Sequence, residues 1–138
     1  MYNKILLIMK KYLFLVLPLV AMLFMSCNKE ISYEFINASY VTPADGVIPA
    51  AGGEIVIRVA STHSFKLSSP SSAFSFFKDG IVNYSQDGVA VVETDHTVHV
   101  APNETGEERH LFIVANHLRN PDMETSLVFL QPAKESEQ

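Results

Sequence analysis

From residue 53 onward, apolar side chains recur at every second position. Ile55, Ile57 and Val59 fall on one side of an extended chain and Glu54, Val56 and Arg58 on the other, the pattern of a strand with one buried face. The same period places Val89 and Val91 against Ala90 and Val92, and His96, Val98 and Val100 against Asp95, Thr97 and His99. It returns with Leu111, Ile113 and Ala115 against His110, Phe112 and Val114. Turn-forming glycines stand between these runs, at Gly46, Gly52-Gly53, Gly80, Gly88 and Gly106. The pattern predicts strands over 34–42, 54–60, 64–68, 74–78, 81–85, 89–94, 96–101, 108–116 and 124–131. Short strands with frequent turns and no helical period imply an all-β fold, an immunoglobulin-like antiparallel β-sandwich over 34–133. Ile57, Val59, Phe65, Val91, Val98, Ile113 and Phe129 are its expected core.

The first 26 residues follow a different rule. Lys4, Lys10 and Lys11 precede an apolar run from Leu13 to Met25, broken by Pro18. The layout is that of a secretory signal and is short for a span, which takes roughly 20 apolar residues. The run stops at Ser26, and the next residue, Cys27, is the only cysteine. This resembles a bacterial lipoprotein signal, in which the cysteine thiol is lipidated and its amine becomes the new N-terminus. The resemblance implies a lipidation site at Cys27, a short stem over 27–33 and a signal peptide over 1–26. Each acyl CH₂ buried in a bilayer contributes about 0.8 kcal/mol, so several chains on one N-terminus anchor durably. With Cys27 so used, the exported domain has no disulfide and depends on packing.

Composition changes once this leader is set aside. All 15 acidic residues but only seven of the ten basic ones lie after Cys27, a formal charge of -8. A nucleic-acid surface needs clustered Lys and Arg and is excluded on that ground. The same part of the chain holds 19 Val or Ile but only five Leu, which again favours strands. Residues 134–138 form an acidic tail.

Candidate chemistry is sparse. Of His63, His96, His99, His110 and His117 no set has the spacing of a zinc site. His96 and His99 are three apart on a strand and so point to opposite faces; structural or solvated histidines are expected, with no metal and no cofactor. The serines between positions 61 and 75 include no Gly-x-Ser-x-Gly elbow. Glu107-Glu108 follow Gly106 in a turn, and Gly52-Gly53 precede a strand rather than a helix that could receive a phosphate. Nothing in these residues makes a case for an enzyme.

Aromatic residues remain, and sugars stack on flat rings while amides and carboxylates bind their hydroxyls. Tyr84 beside Asn83, Gln86 and Asp87, with Phe77 as a second ring, is the candidate ligand site. The competing reading is that Tyr84 packs on a strand edge.

The order of features from about Ala50 to Ala133 resembles the BACON domain, the Bacteroidetes-associated carbohydrate-binding, often N-terminal module. Gly52-Gly53 opens a strand with Ile55, Ile57 and Val59, Phe65 and Phe74 or Phe76 fall where the family commonly has Trp, and Asp87-Gly88 resembles its glycine turn. Asn103 to Arg109 resembles its Asn-x-Thr...Arg segment, and Leu127 to Gln131 its closing strand. The departures are Phe at both Trp positions and a longer hairpin over 116–123. The resemblance implies an immunoglobulin-like sandwich on surface or secreted proteins, with a carbohydrate or mucin-binding role.

Taken together, the expectation is a non-catalytic, lipid-anchored envelope protein that binds glycan. The alternative is a structural or assembly module that holds another envelope protein through a strand edge. Lys29-Glu30 partly resembles the export signal that follows the cysteine in surface lipoproteins of this bacterial group. It favours the outer surface of the outer membrane over the periplasmic face.

Overall fold

The computed structural model describes residues 3–10, 12, 33–85 and 87–135, in two units, Met1–Ser32 and Tyr33–Gln138. In the first unit residues 3–10 and 12 are helical, and no helix among the described residues is long and apolar enough to cross a membrane. Cys27 and most of the leader and stem lie outside the described residues, as do Gln86 and 136–138.

Among the described residues of the second unit, branched apolar residues at every second position give eight strands: β1 (Ile36–Thr42), β2 (Gly53–Ser61), β3 (Phe65–Ser68), β4 (Phe74–Ser75), β5 (Ile81–Val82), β6 (Val92–Val100), β7 (Arg109–His117) and β8 (Glu124–Gln131). They form two antiparallel sheets ordered β1-β2-β6-β4 and β5-β3-β7-β8. The pairing β1-β2-β6 opposite β3-β7-β8 is the ABE and CFG arrangement of an immunoglobulin-like sandwich. Ile55, Ile57, Val59, Val98 and Val100 of one sheet face Phe65, Leu67, Leu111, Ile113, Ala115, Leu127 and Phe129 of the other, and all are buried. Ile48, from the loop after β1, and Phe74 complete the interior.

Two expectations on strands need correction. The runs 89–94 and 96–101 are one strand, β6, because β2 pairs with it without a break from Gly53↔Val100 to Ser61↔Val92. Val91 is 46% exposed rather than in the core, since the β2–β6 pairing ends at Val92 and Val91 shares the alternation of the exposed Glu93 and Asp95. The segments expected at 74–78 and 81–85 shorten to the two-residue strands β4 and β5. The other expected core residues are all buried.

Every core residue among the described residues belongs to the second unit, so a soluble chain from residue 28 onward keeps that interior. In such a chain Phe65→Ala deletes a fully buried ring and should lower stability in urea unfolding by about 3–5 kcal/mol. Val91→Ala should change it by less than about 0.5 kcal/mol. A loss at Val91 as large as that at Phe65 would contradict this core.

Candidate functional site

The candidate ligand residues sit in the segment that leads from β5 into β6, and Tyr84 turns inward. Its ring is half-buried and meets Phe65 edge to face, with centroids 5.9 Å apart. Its hydroxyl donates to the Val92 carbonyl at 3.4 Å and lies 3.5 Å from Thr94 Oγ1. Burial pushes the phenol pKa up, because the phenolate would lose hydration. The core offers an aromatic partner, and a ring gains more there than over a turn.

Asp87 is also committed internally. Its Oδ1 accepts from the Ser64 N–H and from Ser64 Oγ, both at 2.9 Å, and Ser64 Oγ accepts from the Tyr84 N–H at 2.8 Å. The chain Asp87, Ser64, Tyr84 pins this segment to the start of β3. Asn83 is exposed, and Phe77 is 40% exposed with its ring tilted over His96 at 6.0 Å. Of the four candidate residues Phe77, Asn83 and Asp87 are exposed, with Asp87 bonded to Ser64 through Oδ1, and Tyr84 is turned into the domain. Phe112, on the outer face of β7 opposite Val128, is exposed as well and gave no signal in the sequence beyond its place in the alternation.

The histidines divide by topology. His99 and His110 are exposed, while His63 and His117, 54 residues apart, meet in the interior with Nδ1 of the first 3.0 Å from Nε2 of the second. The Asn120 N–H donates to His117 Nδ1, so the neutral His117 ring keeps its proton on Nε2 and donates it to His63. Arg119 Nη1 lies 3.2 Å from His63 Nε2. Gly88 takes a positive φ against this ring, and a Cβ there would come within 2.8 Å of His63 Nε2. Among the described residues, no group of three or more His, Cys, Asp or Glu converges as a metal site would.

The motif residues after β6 serve as a polar staple. Asn103, fully buried, accepts on Oδ1 from the Thr105 N–H and hydroxyl and donates from Nδ2 to the Glu107 and Pro132 carbonyls. Gln131, also buried, donates to the Pro49 and Ala101 carbonyls and accepts from Arg109 Nε at 2.8 Å. These bonds tie together the loop before β2, the exit of β6 and the ends of β7 and β8. Gly52 belongs here too: its φ is +73°, and a Cβ would lie 2.3 Å from the Val100 carbonyl oxygen.

A different feature stands at the edge of the first sheet. The Thr62 N–H donates to Phe35 O, and the Ala101 N–H to Ala73 O. Alternating from these bonds along the unbroken β2–β6 register, Val92, Thr94, His96 and Val98 direct their backbone groups at β2. Glu93, Asp95 and Thr97 direct theirs away from it. β4 pairs only with His99 and Val100, and among the described residues no group hydrogen-bonds to the outward N–H or C=O of Glu93, Asp95 or Thr97.

No family model matches the chain, and no curated protein matches it. A Bacteroides ovatus GH5 xyloglucanase, solved in complex with a XXXG heptasaccharide, is similar in fold, with a TM-score of 0.51 and 13% identity. The similarity covers 71% of this chain and 19% of the enzyme's. The structure of WR4, a C. elegans MSP family member, has a TM-score of 0.43 and 17% identity, covering 74% of this chain and all of that one.

The buried histidines lead to a dependence on pH. Burial foremost, with His63 and Arg119 adding to it and Glu34 and Asp87 opposing, pushes the His117 pKa down; burial also lowers that of His96 against the pull of Asp95. Below about pH 6.5 the unfolded chain takes up protons that the folded rings resist. Both rings therefore contribute stability that is complete above pH 6.5 and lost as pH falls towards their folded values. Urea unfolding should show a lower midpoint at pH 5.5 than at pH 7.5, and His117→Gln should reduce that difference. An unchanged difference would remove His117 from the account.

Proposed function

We propose that this chain is a non-catalytic, lipid-anchored envelope protein whose sandwich binds another envelope protein by accepting a strand at a sheet edge. The observation that carries the reading is the unpaired edge of β6, a nine-residue strand with three consecutive outward residues unbonded. Such an edge recruits an added strand unless something covers it. The signal-like leader and Cys27 support the lipid anchor, with the outer membrane surface as the expected site.

Glycan binding is the second reading, supported by the resemblance to the BACON domain and by the exposed Phe77 ring with exposed Asn83. One exposed ring contributes about 0.5–1.5 kcal/mol, so such a site would bind a sugar only near millimolar concentration. Tyr84 and Asp87 support it less, being bonded within the domain.

Two measurements check these readings. Cys27→Ala should abolish incorporation of labelled fatty acid and membrane retention, and unchanged labelling would contradict the anchor. The soluble chain from residue 28 onward, applied to a glycan array and to outer-membrane extract, should retain protein that a strand-forming peptide displaces. Retention of glycan alone, lost in Phe77→Ala, would establish the second reading instead.

A further inference from the structure

The surroundings of the open β6 edge say which strand it accepts, an inference that rests on the strand-addition reading above. On the outer face of β6, next to the edge, stand the exposed carboxylates of Glu93 and Asp95. Arg58 on β2 holds Asp95 in a two-point contact at 2.7 and 3.0 Å, on the side away from the edge. No salt bridge engages Glu93 among the described residues. In the sequence between β4 and β6, residues 76–91, the one basic residue is Lys78, against the acids Asp79 and Asp87.

The inner face is of another kind. Thr94 and His96 are half-buried there, beneath the rings of Tyr84, Phe65 and Phe77. Exposed apolar side chains stand at the same edge: Phe77, whose ring lies over His96, and Val92 at the start of β6. β4 already occupies the far end of this edge in antiparallel register, with Phe74 opposite Val100 and Ser75 opposite His99. The open stretch from Glu93 to Thr97 is thus a slot of five residues, about 17 Å long.

We propose that this slot receives an extended segment of a partner protein whose side chains alternate between basic and apolar. The basic ones lie over Glu93 and Asp95, where opposite charges on neighbouring strands attract. The apolar ones turn inward against Phe77, Tyr84 and Val92. Backbone bonds to Glu93, Asp95 and Thr97 supply the affinity and the alternation supplies the selection, as in other strand-addition modes.

The probe is an acetylated and amidated eight-residue peptide of alternating lysine and valine, added to the ¹⁵N-labelled chain from residue 28 onward. Three comparisons accompany it: the same peptide with glutamate for lysine, the lysine peptide N-methylated on one backbone edge, and the Thr97→Pro domain. Proline at 97 removes an outward N–H without touching the bonds to β2, and circular dichroism checks that the sheet persists. The lysine peptide should slow amide exchange at Glu93, Asp95 and Thr97 at least tenfold. The glutamate and N-methylated peptides should not, and Thr97→Pro should weaken binding at least tenfold. Protection moved to Ile36, Ala38 and Tyr40 on the outer edge of β1 would overturn the β6 slot and leave strand addition standing. Equal protection by lysine and glutamate peptides would overturn the charge selection. No protection by either peptide would remove the strand-addition reading itself.

Discussion

A strand at the rim of a sheet carries N–H and C=O groups that need partners, and the way this molecule supplies or withholds them organises the rest of the structure. β8 is closed along half its outer edge: the Tyr40 hydroxyl donates to the Val128 carbonyl and accepts from the Val128 N–H, while Leu130 exchanges bonds with Gly46 and Ile48. The same chain segment therefore edges one sheet as β1 and closes the other a few residues later, which also drives Ile48 into the core. β4 and β5 are two residues long and cover only the ends of their neighbours. Among the described residues, what remains open is the middle of β6, the outer side of β1 and the first half of β8.

The interior polar groups explain why the openings lie where they do. The staple of Asn103, Arg109 and Gln131 fixes one end of the sandwich, and the contact between His63 and His117 with the Asp87–Ser64 bonds fixes the segment before β6 at the other. Held by its side chains in this way, the described part of the connection from β5 in one sheet to β6 in the other makes no pairing along β6. Among the described side chains no fully buried nitrogen or oxygen lacks a hydrogen-bond partner, so the exposed backbone of the β6 edge stands apart from an interior that is otherwise satisfied.

The strands with one wholly apolar face were legible in the sequence to within a residue or two, as β2, β7 and β8 show. The alternation divides β6 in two because its first half turns Thr94 and His96 inward, and period two is hard to see where both faces are polar. Tyr84 was expected to face outward because its neighbours in sequence are polar. Its actual neighbours are Phe65 and Thr94, supplied by pairing that local sequence does not report. The same holds for His63 and His117, which only the meeting of β2, β3 and β7 brings together, and for an open edge, which is defined by what fails to lie beside it. Asn103, Thr105, Arg109 and Gln131 were picked out as motif residues, and they act by holding the fold.

Amide hydrogen exchange of the free domain at neutral pH tests the central claim most directly, because an open edge differs from a closed one at alternate residues of a single strand. Thr94, His96 and Val98, bonded to β2, should exchange slowly, as should Leu130, bonded to Gly46 at the closed edge of β8. Glu93, Asp95 and Thr97 should exchange at least a hundredfold faster, since only water competes for them. Uniform slow exchange through all of β6 would mean that a group within the chain already covers this edge, and the account of an open acceptor strand would be wrong.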